Sequence, residues 1–250
     1  MTLDSAGPAP ADERHLDWEA CWNVRDLGGL PTGTGVTRWR SLIRADYLGN
    51  LTPAGRRALH DYGVRTVIDL RRADELASTP PPFRGGRPDE PAFHHVPFER
   101  GDPAAKLRWQ SVQTRADVNR LFLDFYPHAL AEVLATIAAA PPGGVLFHCL
   151  GGTDRTGVVA AAVLRLAGVP DDVIAGDYAL TMARRQGTYE RLVAEKGESA
   201  LTFWERQNIT ADMMRQTLAY VDERYGGMEA YLLAAGLSAD EMARVRARLL

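Results

Sequence analysis

Three short stretches of the chain have the apolar pattern of β-strands. Residues 64–70 are rich in β-branched side chains and almost continuously apolar, as expected of a buried strand. Residues 144–148 form a second, shorter stretch of this kind. Residues 92–98 are a poorer candidate, because Pro97 cannot donate a backbone hydrogen bond and belongs at an edge or at a strand end. The pattern therefore predicts two buried strands and one edge strand.

Helical periodicity is clearest in residues 115–140, where apolar side chains recur mostly every three or four positions. Pro127 interrupts this run and predicts a kink or break between two helical segments. Residues 51–60 are predicted to form a short helix because a Thr-Pro pair stands near its start. Residues 155–167 form a further predicted helix, which Gly168 closes.

From residue 171 to the end of the chain the pattern is almost entirely helical. Helix stops are expected at glycines, namely Gly187, Gly197, the Gly226–Gly227 pair and Gly236. Strands and helices alternate in the first two thirds of the chain, and helices alone follow. This order predicts an α/β fold with a central, mostly parallel sheet flanked by helices and a helical C-terminal extension.

Turn-forming residues mark the remaining segments. Residues 1–15 are rich in Pro, Ala and Asp and are predicted to be a flexible tail, which leaves residues 16–250 as a single domain. Residues 23–35 begin with strand-like residues and become dense in glycine, so they predict a loop or short hairpin folded over the domain. Residues 78–91 contain five prolines and predict an extended loop.

Composition and charge exclude several classes of protein. Of the 250 residues, 46% are hydrophobic and 24% are charged, which excludes disordered, collagen-like and coiled-coil chains. The formal net charge of −3 gives no electrostatic reason to bind nucleic acid or an acidic membrane. No signal peptide is recognisable, and the longest apolar run, residues 158–164, is too short to span a bilayer. We therefore expect a cytoplasmic protein with no stable membrane association, with export without a signal peptide as the open alternative.

The two cysteines, Cys21 and Cys149, are too few for a disulfide framework and fit a reducing compartment or a single reactive thiol. Only Cys149 has a chemical context, because it follows the predicted strand 144–148 and precedes a glycine-rich turn. A transient disulfide between the two cysteines is a hypothesis that requires the N-terminal loop to cover the site.

The segment 145–157 places Cys149 and Arg155 at the two ends of a short loop between a predicted strand and a predicted helix. Such a loop can turn successive backbone N–H groups inward and bind an anion at the helix N-terminus. The same field favours the thiolate form of Cys149, which is a strong nucleophile. The planar guanidinium of Arg155 matches two phosphoryl oxygens. The candidate substrate-binding residues are those around these two: Leu150, Gly151, Gly152, Thr153, Thr156 and Gly157.

Two neighbours of this loop are assigned supporting roles. The hydroxyl of Thr156 is expected to hydrogen-bond the thiolate, and His148 is expected to fix the loop through hydrogen bonds to the backbone. The alternative is that Cys149 is a buried, inert thiol and that the two glycines form only a tight connection. The spacing of cysteine, glycines and arginine favours catalysis.

The ten residues from His148 to Gly157 follow the pattern His-Cys-x-x-Gly-x-x-Arg-Thr-Gly. In this pattern the chain resembles the cysteine-dependent protein tyrosine phosphatase superfamily. The aspartate before the arginine is similar to the bacterial atypical group, which includes secreted mycobacterial phosphatases acting on phosphotyrosine and phosphoinositides. Other segments that resemble this group are residues 23–29, residues 67–71 with Glu75, Asp177–Tyr178 and the C-terminal residues 236–241.

The resemblance implies the cysteine phosphatase fold and a covalent phosphocysteine mechanism that uses no metal and no cofactor. Carried over to this chain, it makes Cys149 the nucleophile and Arg155 the phosphate clamp. Asp154 becomes the general acid for the leaving oxygen and the base for the hydrolytic water. The alternative for Asp154 is a helix N-terminal residue that the helix dipole favours. The rival acids are Asp102 and Asp69.

One position departs from the pattern of the family, because Thr153 stands where the atypical group usually has lysine. That lysine is associated with additional phosphates on inositol rings, so its absence weakens the case for a phosphoinositide substrate. Arg25, Arg44 and Arg71 are the arginines that can compensate. Each is also explained as a structural partner of a nearby carboxylate, Asp26, Asp46 and Glu75 respectively, and this structural interpretation is favoured.

Residues 184–205 are the predicted place for substrate specificity, since a basic segment, 184–191, is followed by an aromatic one, 201–204. In the family, helices in this area form a lid over the pocket. The alternative is an ordinary amphipathic surface helix, and the sequence favours neither. Four tryptophans can line a pocket or belong to the core: Trp22, Trp39, Trp109 and Trp204.

The chain is therefore expected to be a phosphomonoester hydrolase that acts through a cysteinyl-phosphate intermediate on a phosphorylated substrate, with phosphotyrosine proteins favoured. The alternatives are a small-molecule or phosphoinositide phosphatase and, from a different class, a non-catalytic phosphate-binding module. Such a module would lack the nucleophile or the clamp, whereas this chain has both Cys149 and Arg155. The sequence leaves the oligomeric state open.

Overall fold

The computed structural model describes residues 13–83, 90–202 and 207–250. Its main sheet has five strands in the order β1-β4-β7-β5-β6, and a separate hairpin pairs β2 with β3. In chain order, the strands are β1 (Arg25–Asp26), β2 (Pro31–Thr32), β3 (Gly35–Val36), β4 (Leu42–Ala45), β5 (Val64–Asp69), β6 (Ala92–His95) and β7 (Gly144–His148).

The main sheet is parallel except for β1, which pairs antiparallel with β4. His148, the last residue of β7, is in register with Ala45 on one side and with Asp69 on the other. The carboxyl ends of the central strands therefore meet at one edge of the sheet, where ligands bind in folds of this type. The predicted strands 64–70 and 144–148 are confirmed, and β6 is an edge strand, as Pro97 predicts.

Side chains on the two faces of the sheet belong to two apolar clusters. Val145 and Phe147 pack into the larger cluster with the helices before and after β7, whereas Leu146, between them, packs into a smaller cluster on the opposite face. On β5, Ile68 likewise packs into the larger cluster and Val67 into the smaller one. This period of two along each strand shows that both faces of the sheet are covered, which explains why these strands are almost continuously apolar.

Ten α-helices lie within the described residues. In chain order, they are α1 (Pro53–Tyr62), α2 (Ala73–Ser78), α3 (Pro103–Trp109), α4 (Arg115–Phe125), α5 (Pro127–Ala139), α6 (Asp154–Leu166), α7 (Asp171–Lys196), α8 (Ala211–Tyr225), α9 (Met228–Ala234) and α10 (Ala239–Leu249). The predicted α/β fold, with a mostly parallel sheet, flanking helices and a helical C-terminal extension, is confirmed.

Local signals account for several helix boundaries. The Thr52 side chain accepts a hydrogen bond from the backbone N–H of Gly55 and caps α1, which ends at Gly63 with a left-handed φ of 98°. Pro127 begins α5 directly after Tyr126, and α4 and α5 meet at an angle of 83°. The break predicted at Pro127 is therefore confirmed, because proline supplies no N–H for a continuous helix.

Two sequence expectations are wrong, and one strand was missed. Residues 13–15 are part of the fold and not of a flexible tail, since Arg14 is buried and His15 bridges to Arg25. Gly187 does not stop a helix, because α7 runs through it to Lys196. Strand β4 was not predicted, although all four of its residues are buried. Its sequence, Leu-Ile-Arg-Ala, is too short and contains an arginine, which masks the apolar pattern.

Parts of two predictions fall outside the described residues. These parts are residues 84–89 of the proline-rich loop and residues 203–206, which include Phe203 and Trp204 of the aromatic segment. Within the described residues, no single helix is long and apolar enough to cross a membrane, and the bent pair α4–α5 passes that test by length and composition only.

Candidate active site

The loop formed by residues 149–155, hereafter the 149–155 loop, joins the end of β7 to the start of α6. Cys149 follows the buried strand directly, and Asp154 is the first residue of α6. Gly152 has a left-handed φ of 65°, and a Cβ there would lie 2.7 Å from the carbonyl oxygen of Ala45. Only glycine fits this position, because the loop turns tightly against β4. The strand–loop–helix arrangement predicted from the sequence is therefore present.

Four successive carbonyl groups of this loop are held by the framework behind it. The carbonyl of Cys149 accepts a hydrogen bond from Nδ1 of His148 (3.0 Å), and that of Leu150 accepts one from the backbone N–H of Tyr47 (3.0 Å). The next two carbonyls are those of Gly151 and Gly152. Asn23 Nδ2 donates to both at 3.1 Å, and Arg44 Nη2 donates to the second at 2.8 Å.

This pattern sets the direction of the loop's N–H groups. In a trans peptide unit the C=O and N–H bonds point in opposite directions. Because the carbonyls from residue 149 to residue 152 point back into the framework, the N–H groups of residues 150 to 153 point away from it. A run of N–H groups with this orientation at a helix N-terminus can bind an anion.

Behind the loop, Asp177 of α7 binds three buried arginines. Its carboxylate oxygens lie 2.7 Å from Arg14 Nη1, 3.0 Å from Arg25 Nε and 2.7 Å from Arg44 Nη1. Although burial alone would raise the pKa of Asp177, the three arginines hold it well below its usual range. Burial, and then the charge of Arg44, lower the pKa of Arg25 to about 9, which keeps its guanidinium charged at neutral pH.

The structural interpretation of Arg25, Arg44 and Arg71 is supported, but the partners expected from the sequence are wrong. Arg25 and Arg44 share Asp177, and Arg71 binds Asp69 through Nε and Nη2. The reason is topological, because α7 brings Asp177 next to β1 and β4 from 133 or more positions away along the chain.

Arg155 is oriented by two glutamates. Its Nη1 and Nη2 donate to the two carboxylate oxygens of Glu75 at 2.6 and 3.0 Å, and Glu99 lies 3.6 Å from Nη1. Although burial would lower the pKa of Arg155, the charges of Cys149 and Glu75 raise it. A bidentate pair of this kind fixes the plane of the guanidinium. The resemblance to the family included Glu75, but it did not predict that Glu75 binds Arg155.

Asp154 is bound on both carboxylate oxygens. Arg115 Nη1 lies 2.7 Å from Oδ2, and the hydroxyl of Tyr178 donates to Oδ1 at 3.2 Å. The Asp154 side chain remains 23% exposed, towards a cavity that Cys149 also lines. This contact with Arg115, from the first residue of α4, was not predicted.

The two rival acids lie in different surroundings. Asp69 is fully buried, bound by Arg71, and 3.6 Å from Nε2 of His148. Asp102 caps α3, where its side chain accepts hydrogen bonds from the N–H groups of Ala104 and Ala105. Neither aspartate is among the residues that line the cavity at Cys149.

The cavity above the 149–155 loop has a volume of about 440 Å³ and mixed walls. Aromatic side chains line much of it, namely Trp22, Tyr47, Trp109, Phe122 and Tyr189. Charged side chains also line it, namely Asp46, Arg72, Glu99, Arg115, Asp154, Arg155 and Arg185. Of the tryptophans considered from the sequence, Trp22 and Trp109 line this cavity, whereas Trp39 lines a different one beside Arg248.

The remaining predicted site residues have mixed outcomes. His148 is buried and binds the loop backbone, as expected, and burial lowers its pKa. The Thr156 hydroxyl is buried, but within the described parts of the chain it has no hydrogen-bond partner, so the expected contact with Cys149 is absent. Gly157 packs against Tyr178, whose ring a Cβ at 157 would approach to 2.8 Å. Gly157 therefore permits close packing of α6 on α7, and it is not among the residues that line the cavity.

Cys21 lies in the smaller apolar cluster, and its thiol donates to Oδ1 of Asp46 at 3.0 Å. Burial, and then the charge of Asp46, raise the pKa of Cys21 well above its usual value. A thiol in this state is a poor partner for oxidation, which argues against the transient disulfide with Cys149. Among the described residues, no group of three or more His, Cys, Asp or Glu side chains could hold a metal ion.

Comparison with known proteins identifies the family. Residues 16–250 match the model of a tyrosine phosphatase family. A tyrosine-protein phosphatase from Nostoc commune is 32% identical over 222 residues, which cover 84% of this chain and 74% of the relative. The triple specificity protein phosphatase PtpB of Mycobacterium tuberculosis is 28% identical over 274 residues, which cover 92% of this chain and 96% of PtpB.

Among solved structures, that of TpbA from P. aeruginosa in complex with pTyr matches with 18% sequence identity and a TM-score of 0.35, covering 73% of this chain and 87% of that chain. A TM-score of this size does not establish a common fold. The match of the family model to residues 16–250 does establish membership: the chain belongs to the tyrosine phosphatase family and is a phosphoric monoester hydrolase of that kind.

Proposed function

We propose that this member of the tyrosine phosphatase family hydrolyses aryl phosphate monoesters, phosphotyrosine among them, through a cysteinyl-phosphate intermediate. The observation that carries the proposal is the orientation of the 149–155 loop. Its carbonyls are bound from behind between Cys149 and Gly152, while a cysteine and an oriented arginine stand at its two ends. A phosphate seated on the loop's N–H groups would lie next to the sulfur of Cys149 and within reach of Arg155.

In the first step, the thiolate of Cys149 attacks phosphorus. The S–P bond forms as the bond between phosphorus and the aryl oxygen breaks, and the leaving oxygen takes a proton from a carboxylic acid. Arg155 and the loop N–H groups bind the non-bridging oxygens, on which charge is held through the transfer. Glu75 keeps the guanidinium of Arg155 in the required plane.

In the second step, water attacks the phosphorus of the cysteinyl phosphate. The S–P bond breaks, the thiolate leaves, and one proton of the water passes to the carboxylate that served as acid in the first step. The products are the alcohol or phenol and inorganic phosphate. No residue of the chain is consumed, because Cys149 returns as a thiolate.

We assign the proton transfers to Asp154. It lines the cavity with Cys149, and its carboxyl group is held in place by Arg115 and Tyr178. Glu99 is the second carboxyl group suited to the task. It lines the same cavity, lies 3.6 Å from Arg155, and has its pKa raised by burial. Asp69 and Asp102 are less suitable, because one is buried against Arg71 and the other caps α3.

The walls of the cavity support an aryl substrate. Trp22 and Trp109, which line the cavity, are 36% and 38% exposed, and the buried residue Tyr189 adds a third aromatic side chain to the lining. A phenyl ring attached to a phosphate on the loop would contact such surfaces, and aromatic pairs stabilise binding beyond the area they bury. Among the phosphorylated substrates considered, these walls favour phosphotyrosine over a sugar phosphate.

The test of the mechanism is hydrolysis of p-nitrophenyl phosphate in the presence of a metal chelator. Wild-type protein should turn over, and Cys149→Ser should lose at least about a thousandfold in kcat, because a serine hydroxyl is a far weaker nucleophile. The matched control is Cys21→Ser, which should retain activity because Cys21 is buried in the smaller apolar cluster and is not among the residues that line the cavity. An inactive wild type, or an active Cys149→Ser variant, would contradict the proposal.

The assignment of the acid is tested by two matched variants, Asp154→Asn and Glu99→Gln. Loss of the acid should be most costly for a poor leaving group, so its removal should reduce kcat by a larger factor on an alkyl phosphate than on p-nitrophenyl phosphate. We expect this selective loss for Asp154→Asn and a uniform, smaller loss for Glu99→Gln. The reverse pattern would transfer the role to Glu99.

A further inference from the structure

The guanidinium of Arg185, on α7, touches the 149–155 loop from the cavity side. A Cβ at position 151 would lie 1.9 Å from Nη1 of Arg185 and 3.4 Å from Oγ1 of Thr153. Arg185, Gly151 and Thr153 therefore meet at one corner of the loop. The absence of a side chain at Gly151 is what allows the guanidinium to approach the backbone so closely.

Arg185 differs from the other arginines of the cavity in its partners. Arg155 is bound to Glu75, and Arg115 is bound to Asp154. Arg72 lies 3.0 Å from Asp74, with two glutamates within 4 Å. Within residues 13–83, 90–202 and 207–250, Arg185 makes no ion pair with a carboxylate, and its guanidinium lies over the ring of Tyr189, 4.9 Å from the centroid.

The ring of Tyr189 holds the guanidinium over the loop without neutralising its charge. Stacking on an aromatic face orients the planar group and leaves its N–H donors at the edge available to an acceptor. The side chain is also half-buried, which reduces screening by water relative to a freely exposed arginine. These features leave the charge of Arg185 available to an anionic group in the cavity.

We propose that Arg185 binds a second anionic group, a carboxylate or a phosphate, that the substrate carries beside the phosphate seated on the 149–155 loop. The proposal rests on the proposed function, since it requires the loop to hold the first phosphate. Arg185 is a specificity-determining residue in this scheme and takes no part in the transfer itself. It supplies positive charge at the corner of the loop where Thr153, with its hydroxyl turned back to the carbonyl of Gly151, supplies none.

The proposal is tested by binding, measured with the Cys149→Ser protein so that the result does not depend on turnover. The probes are three short phosphotyrosine peptides that differ only in the residue next to phosphotyrosine, which is Gln, Glu or phosphoserine. With Arg185 present, the Glu and phosphoserine peptides should bind about tenfold more tightly than the Gln peptide, as one charge-assisted hydrogen bond allows. In Cys149→Ser combined with Arg185→Met, this ratio should fall to about 1.

The two anionic peptides distinguish the source of the second group. Tighter binding of the Glu peptide alone would assign the site to carboxylates, and tighter binding of the phosphoserine peptide alone would assign it to phosphates. Tighter binding of both, the expected result, means that Arg185 accepts either group. The matched control is Arg191→Met on the same helix, because the guanidinium of Arg191 lies over Trp22 and not at the loop. This control removes the same charge and should keep the ratio close to its original value.

Equal affinities for the three peptides in the presence of Arg185 would overturn the proposal. The proposal would also be wrong if the tenfold preference for the anionic peptides persisted in Arg185→Met. It would be wrong as well if Arg191→Met abolished the preference to the same extent, since the effect would then come from the general charge of α7. Failure of the proposed function has a different signature, namely a wild-type protein that does not hydrolyse the Gln peptide.

Discussion

The two sides of the 149–155 loop are built in contrasting ways. The inner side consists of buried polar groups that are bound to one another, with Asn23 and Arg44 on the loop carbonyls and Asp177 joining three arginines. The outer side is a cavity that aromatic and charged side chains line, among them Arg185, whose guanidinium lies over the ring of Tyr189.

We expect the inner side to set the geometry of the loop and the outer side to set the selectivity for substrates. Directional hydrogen bonds on the inner side fix where the loop N–H groups point, so a change there should affect every substrate alike. On the outer side, Arg185 lies over the ring of Tyr189 and has no assigned part in the reaction, so we expect its replacement to affect substrates differently. Helix α7 serves both sides, because Asp177 and Arg185 lie eight residues, or about 12 Å, apart along it.

The largest expected effect comes from removing the charge at the centre of the inner side. Asp177→Asn leaves three buried arginines without their shared counter-charge, and an uncompensated buried charge costs about 3–5 kcal/mol. We expect a loss of that size in the free energy of unfolding, measured by urea denaturation at pH 7. The matched control is Asp171→Asn. The side chain of Asp171 is 48% exposed in its ion pair with Arg165, so its loss should lower the free energy of unfolding by only about 0–1 kcal/mol.

Acid is an independent way to break the same contact. Because the three arginines hold the pKa of Asp177 in the folded protein well below the ordinary aspartate value of 3.8, the stability that Asp177 contributes is fully present above that value and is lost as the pH falls towards the folded-state pKa. Between pH 5 and pH 3, wild-type protein should therefore begin to lose stability that Asp177→Asn has already lost. If the free energy of unfolding of Asp177→Asn changed with pH as steeply as that of wild type in this range, Asp177 would not be strongly coupled to its arginines.

A smaller, uniform effect is expected at Asn23. Asn23→Ala removes the donor that binds the carbonyls of Gly151 and Gly152, and the loss of a buried hydrogen bond costs about 1–3 kcal/mol. We expect kcat/KM to fall by about tenfold or more, by the same factor for neutral and for acidic phosphotyrosine peptides. Inhibition by orthovanadate should weaken in parallel, since we expect this phosphate analogue to bind the same N–H groups.

Asn208→Ala is the matched control for Asn23, because Asn208 is exposed and the chemical change is identical. It should leave kcat/KM and vanadate inhibition unchanged. If Asn23→Ala altered the ratio between neutral and acidic peptides, as Arg185→Met is expected to do, the division between the two sides of the loop would be wrong.

The smallest effect on stability is expected at Gly187, which lies in α7 ten residues beyond Asp177. A Cβ at Gly187 would meet no atom within 4 Å, so Gly187→Ala should stabilise the helix by up to about 1 kcal/mol in thermal or urea unfolding. Gly197, with a left-handed φ of 80°, is the matched control at which alanine should destabilise. A destabilising Gly187→Ala variant would indicate that α7 does not continue through this residue.

Much of the fold follows from local signals in the sequence. The continuous apolarity of β5 and β7 reflects burial on both faces, and Pro127 breaks the helical run because it lacks an N–H. The missed strand β4 and the continuous helix at Gly187 show the limits of such signals. Tertiary packing stabilises β4, whose four residues are all buried, and such packing has no signature in a short window of sequence. A single glycine costs a helix only about 1 kcal/mol, which is too little to end a helix as long as α7.

The sequence by itself predicted the loop between β7 and α6 and the residues that we propose carry its chemistry. The spacing of Cys149, the glycines and Arg155 between a strand and a helix is a local property, so it could be recognised without coordinates. Tertiary structure alone decided the partners: Asp177 for Arg25 and Arg44, Glu75 for Arg155, Arg115 for Asp154, and the approach of Arg185 to Gly151. The physical reason is that a charged side chain binds whichever opposite charge the fold brings within a few ångströms, and sequence distance carries no information about that neighbour.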